Sequence, residues 1–251
     1  MPARRSWSPP LPSPDKLATY VATRSDKHGP GSHWSDYAGR WRQANKERKD
    51  LRLVEFCQPY ETVELWLDPR PNDQLHLVWL LDFFCSHPEI MARLKLRLLD
   101  YDLIQASPEE LGRWLVPAIG VTIDELETAS ATWQACRAMT PKPCFDLLGK
   151  DLSALPLLRP ALLDLLEELP SGATGLGATE MRLLELIARG YERTNALFHL
   201  RGLRQRRVFS DWEIGSLLEG LAHGPTPAIA GLDDELRTIG RENHRDRDTA
   251  Y

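Results

Sequence analysis

This 251-residue chain has few of the groups that announce chemistry. Its four cysteines, Cys57, Cys85, Cys136 and Cys144, are scattered without a C-x-x-C pair, so reduced, buried thiols are the expectation. No G-K-[ST] occurs, which removes a phosphate-binding loop. Gly175-x-Gly177 follows a helical pattern, and Glu180 stands where a dinucleotide fingerprint has its third glycine, so it reads as a linker or helix entry. No Ser-His-Asp set follows from the spacing. No apolar run approaches the roughly 20 residues needed to span a bilayer. The opening MPARRSWSPPLPSP has twin arginines and no apolar h-region, so an export signal is not expected and a cytoplasmic location is.

Apolar content of 42% and charged content of 27% are those of an ordinary globular protein, with length enough for one large or two small domains. The formal net charge of -5 argues against a dedicated nucleic-acid binder. Charge is unevenly placed: residues 1–50 hold ten Lys/Arg and five Asp/Glu, a net of +5, which leaves -10 for the remainder.

Residues 1–35 are rich in Pro, Ser and Gly and are expected to form a disordered arm, followed by a solvated helix over Tyr37 to Asp50. Leu51 to Phe56 and Thr62 to Leu67 read as strands. A Pro-flanked turn leads to a helix opened by Asn72-Asp73-Gln74, and its span from Asp73 to Cys85 is too apolar all round for a surface helix. Leu94 to Leu99 (LKLRLL) alternates, which predicts a half-exposed strand with Lys95 and Arg97 on its wet face. Strand, helix and strand form one β-α-β unit with a parallel pair. Ser107-Pro108-Glu109-Glu110 and Thr122-Ile123-Asp124-Glu125 each read as a capping box, the second opening a helix through about Met139. Pro141 and Pro143 break it, and a leucine-striped core helix is expected from Pro156 to Leu169.

Three glycines in Ser171 to Gly177 mark a domain boundary. Helices are then expected over Thr179–Arg189, Thr194–Leu203 and Asp211–His223, the last opened by Ser210 and Glu213, with an extended piece over Pro227–Leu232. That order is the order of a winged-helix module. The expected domains are thus an arm over 1–35, an α/β plus helical domain over 36–170, a winged-helix-like domain over 178–240 and a frayed tail over 241–251. The fold class is α+β, predominantly helical, with a small parallel sheet.

The V-x-L-W segment followed by Asp73-Gln74-Leu75, the Trp133 helix, the Leu155-Pro156 break and the Gly175-Leu176-Gly177-Ala178-Thr179-Glu180 entry together resemble one bacterial family. It is the family of domain of unknown function 1835, with its smaller C-terminal companion domain, and the resemblance runs from about Tyr37 to Leu232. Members usually begin with an extra strand and a Gly-Asp turn. Here that place holds the Pro/Ser arm, so the resemblance implies that half of any site at the first strand's carboxyl end is missing, or that the native start lies upstream. The family supplies no activity to carry over.

The sequence offers two sets of candidate residues. In an open α/β sheet a ligand lies beyond the carboxyl ends of the strands, here near Asp68, Asn72, Asp73, His76 and Asp100. Asp73 and His76 are three apart on a helix and could work as a steered base, though capping accounts for Asp73 without chemistry. Arg201, Arg204, Arg206 and Arg207 form the densest basic cluster and suit phosphate or partner contacts. The helix that would enter a DNA groove carries Asp211, Glu213 and Glu219 and no Lys or Arg, which argues against DNA reading. His28 and His33 with Asp26 and Asp36 lie in the polar arm, where little holds them in ligand geometry. Trp7, Trp34 and Trp41 in the same region could dock on the protein's own core or on a partner. Phe209 and Trp212 suit a staple at a helix start.

The expectation is a non-enzymatic cytoplasmic interaction or regulatory protein with a protein partner, no metal, no cofactor and no membrane. The alternatives are a ligand-binding or enzymatic α/β domain at the sheet's carboxyl edge, and DNA binding through the C-terminal module.

Overall fold

The computed structural model describes residues 53–99, 107–113, 116–191, 208–209, 211–223 and 226–230. The expectations for the N-terminal arm, the helix before residue 51, Asp100, Ser210 and the tail fall outside these residues. So do the helix over 194–203 and the four arginines Arg201, Arg204, Arg206 and Arg207.

The described chain is α+β and mostly helical, and it divides into two compact units between Leu166 and Glu167. In the first, α1 (Leu53–Cys57) precedes β1 (Val63–Leu67), α2 (Pro71–Phe84), the single turn α3 (Pro88–Met91) and β2 (Leu94–Leu98). Then come α4 (Pro108–Arg113), β3 (Ile119–Gly120), α5 (Ile123–Cys136), α6 (Lys142–Leu147) and α7 (Leu158–Glu167). The sheet has the order β1-β2-β3, with β1 and β2 parallel in the register Val63↔Leu94 to Leu67↔Leu98.

Side chains alternate across a strand. Val63, Leu65 and Leu67 therefore share one face with Leu94, Leu96 and Leu98, and the other face carries Glu64, Trp66, Lys95 and Arg97. Helix α2 packs on β1 and, over a longer contact, on α5. Leu77, Val78, Trp79, Leu81 and Phe84 are buried on α2, and the rings of Trp79 and Trp133 meet at 6.4 Å. The apolar composition of α2 thus reflects burial on more than one side.

Both expected capping boxes form. Ser107 N–H donates to Glu110 at 2.8 Å and Glu110 N–H returns to Ser107 Oγ at 3.2 Å, while Thr122 and Glu125 make the same exchange at the start of α5. Three expectations need correcting. The stretch expected as a strand over Leu51–Phe56 is helical from Leu53, and five residues are too few for a 3.6-residue period to show in sequence. The sheet is mixed, because β3 runs antiparallel to β2 through Leu96↔Ile119 and Lys95↔Gly120. Finally, α2 is capped by neither Asn72 nor Asp73: its N-cap is Arg70, with Pro71 in the first turn.

In the second unit α8 (Ala178–Ala188) and α9 (Asp211–His223) pack together, with Leu183, Leu186, Ile214, Leu218 and Leu221 buried. Phe209 is buried just before α9. Of the extended piece expected over Pro227–Leu232, residues 227–230 are described: Ala228 N–H donates to the Leu221 carbonyl at 2.8 Å, and no strand forms among them. The Ser171–Gly177 segment is an ordered loop in which Gly175 takes a φ of 69°, a conformation that glycine adopts without strain.

Candidate functional site

The carboxyl end of β1 runs straight into Asp68-Pro69-Arg70-Pro71 and the first turn of α2. Flanking prolines restrict the backbone on both sides of Arg70, which holds its side chain over the strand end. Asp68 is 1% exposed. Its Oδ1 accepts from the Arg70 backbone N–H at 3.0 Å and from Arg70 Nε at 2.9 Å. Nε also lies 2.8 Å from Oδ2, but its hydrogen is directed at Oδ1, so Oδ2 is buried and receives no directed hydrogen bond. Buried Gln74 donates from Nε2 to the Asp68 carbonyl at 2.7 Å.

Arg70 also reaches forward, with Nη2 2.9 Å from Asp73 Oδ2, while Asp73 Oδ1 lies 3.9 Å from His76 Nδ1. The four side chains form a chain from a buried carboxyl to a half-exposed imidazole. Burial pushes the Asp68 carboxyl up, and a hydrogen bond to the neighbouring Asp73 adds to that against the pull of Arg70. Burial also works to raise Asp73, but the His76 ring, Asp68 and the Arg70 charge outweigh it and hold Asp73 below the usual range. The contact between the two carboxyls thus acts on them in opposite directions, up at Asp68 and down at Asp73.

Of the expected set, Asp68, Asp73 and His76 are brought together, Asn72 lies half-buried in the first turn of α2, and Asp100 lies outside the described residues. Arg70, which organises the group, was not singled out from sequence. The signal was present in its place between two prolines, two residues after one aspartate and three before the next.

The polar face of the sheet holds a second group that sequence reading missed. Arg97 grips Glu64 with two hydrogen bonds, Nε to Oε2 at 2.8 Å and Nη2 to Oε1 at 3.0 Å, and its Nη1 donates to the Val116 carbonyl. The guanidinium lies 5.1 Å from the centre of the Trp66 ring, and Trp66 Nε1 donates to Glu64 at 3.1 Å. Trp66 is nevertheless 41% exposed. Glu64 is held below the usual carboxylate range, first by its hydrogen bond from Arg97.

An open depression of about 350 Å³ lies beside the start of α5, lined by Asp124, Glu125, Glu127 and Asp151 with Thr128, Ser153 and Ala154. Among the described residues, no group of three or more His, Cys, Asp or Glu is arranged to hold a metal ion. No helix among them is long and apolar enough to cross a membrane. No family model, no curated protein and no solved structure matches this chain.

Proposed function

We propose that this chain is a non-enzymatic interaction or regulatory protein of the cytoplasm, and that it binds a protein partner through the polar face of its sheet. The observation that carries the reading is Trp66. A parallel strand pair is ordinarily covered on both faces. Here the second face presents a large aromatic ring to solvent, locked between Arg97 and Glu64. Tryptophan and arginine dominate interface hot spots, because they bury much area and lose little freedom when already held in place. The cluster at the carboxyl end of β1 is compatible with this reading, since its charges are engaged with one another. A winged-helix-like second unit and the resemblance to the domain of unknown function 1835 family belong to the same proposal. Their support lies in the order of helices and the quoted motifs.

The test is in-cell crosslinking followed by affinity capture with the full chain, its Trp66→Ala variant and, as a surface control, Met139→Ala. A partner retained by the wild type and the control but lost with Trp66→Ala supports the proposal. Equal recovery by all three, or turnover of a substrate, overturns it.

A second reading, a ligand-binding or enzymatic site at the strand end, is favoured by Asp68 Oδ2 and the opposed shifts of Asp68 and Asp73. Carboxyls driven apart in this way are the pattern of assigned acid and base roles. A polar small molecule that raises the Tm of the wild type but not of His76→Ala would establish it. DNA binding through Arg204, Arg206 and Arg207 is checked by gel shift, and absence of a shift at low salt ends it.

A further inference from the structure

Cys136 closes α5 and Cys144 sits in the first turn of α6, eight positions later, where the chain reverses between the two helices. Their sulfurs approach to 3.9 Å, in contact and unbonded. Cys144 is 1% exposed, whereas Cys136 is only part-buried and gives the pair a path to solvent. Between them the turn carries Met139, which is 92% exposed, and nothing among the described side chains packs over it.

From this geometry we infer that Cys136 and Cys144 are a redox pair that closes reversibly to an intramolecular disulfide. Moving the sulfurs from 3.9 Å to a bonded separation of about 2.0 Å requires a shift of about 1.9 Å. Rotation about the side-chain bond of part-buried Cys136, the last residue of α5, supplies a shift of that size.

The oxidant class is a hydroperoxide. Cys136, whose sulfur has the path to solvent, attacks the outer peroxide oxygen as its thiolate, an S–O bond forms, the O–O bond breaks, and the alkoxide leaves and takes up the proton released from Cys136 as an alcohol. The second sulfur then attacks the first, an S–S bond forms, the S–O bond breaks, and hydroxide leaves as water with the remaining thiol proton. Two thiols and one hydroperoxide thus give one disulfide, one alcohol and one water. A thiol reductant reverses the step by exchange. The bond would tie the end of α5 to α6, and through α5 it would stiffen the helix that packs on α2.

The experiment treats the full-length protein with tert-butyl hydroperoxide and counts thiols after denaturation, with peptide mapping. Trypsin cuts after Arg137, so the two cysteines fall on separate peptides joined only by the new bond. The expected result is a fall from four thiols to two, a linked Cys136–Cys144 peptide, recovery with dithiothreitol, and a Tm several degrees higher in the oxidised form. Cys85→Ser, which removes the exposed thiol, should still form the link, and Cys136→Ser should abolish it. A count that stays at four, or oxidation confined to exposed Cys85 with the Cys136 and Cys144 peptides unlinked, overturns the inference. Should Cys136→Ser fail to fold, the mapping on wild type and Cys85→Ser decides alone.

Discussion

A buried carboxylate is stable only where something compensates for the water it has lost, and at Asp68 that something is Arg70. Arg70→Ala leaves the carboxyl buried without its cation, which should destabilise the fold by about 2–4 kcal/mol in urea unfolding at neutral pH. The loss should shrink in acid, where Asp68 takes up a proton and needs the cation less. Asp68 and Asp73 make stability depend on pH in opposite directions. Because Asp68 is raised above its ordinary 3.8, the folded state holds its proton more tightly than the unfolded chain. That contribution is complete below 3.8 and is lost as pH rises through the raised folded value. Asp73 is lowered, so it stabilises above 3.8 and its contribution disappears as pH falls below that. Asp68→Asn deletes the first effect and leaves Asp73 the pull of His76 and Arg70. Its stability relative to wild type should therefore improve as pH rises from about 4 to 7, measured by urea midpoints. A difference that stays constant across that range would show that Asp68 does not titrate there.

At the level of elements, the local signals that were legible are those with a local cause. The boxes Ser107–Glu110 and Thr122–Glu125 form because each satisfies its own helix's free amides. Thr122→Ala should thus cost about 1 kcal/mol in thermal or urea unfolding. Gly177, the N-cap of α8, is present for a reason that no local pattern reveals. A Cβ there would lie 2.6 Å from the Glu168 carbonyl oxygen, and Glu168 in turn holds Thr179 through its N–H at 3.0 Å and its hydroxyl at 2.6 Å. Gly177→Ala should consequently destabilise by about 1–3 kcal/mol, whereas Gly172→Ala, with open space around it, should be close to neutral. Differential scanning calorimetry on the two variants separates the outcomes. The misread α1 belongs at this scale too, since one and a half turns of apolar residues look the same as a short buried strand.

For the molecule as a whole, the two contact units each have their own buried leucines, Leu96 and Leu162 in one and Leu183 and Leu218 in the other. Leu96→Ala empties a fully buried site in the central strand and should cost about 2–5 kcal/mol. Hydrogen exchange should show the loss of protection over β1, β2 and α2 before any loss over α8. Simultaneous loss in both would mean that they unfold as one body.

The sequence by itself determined the α+β character, the parallel pairing of β1 and β2, the buried α2, and the wet face of Lys95 and Arg97. The wet face follows from a period of 2 within one strand, the burial of α2 from its all-round apolar composition, and the parallel pairing from the rule that a strand-helix-strand connection returns the second strand parallel to the first. Only the tertiary structure decided that Arg97 reaches 33 residues back to Glu64, that β3 turns the sheet mixed, and that Cys136 and Cys144 meet across a helix reversal. Those contacts depend on where the chain returns in space. Periodicity within one segment carries no information about that.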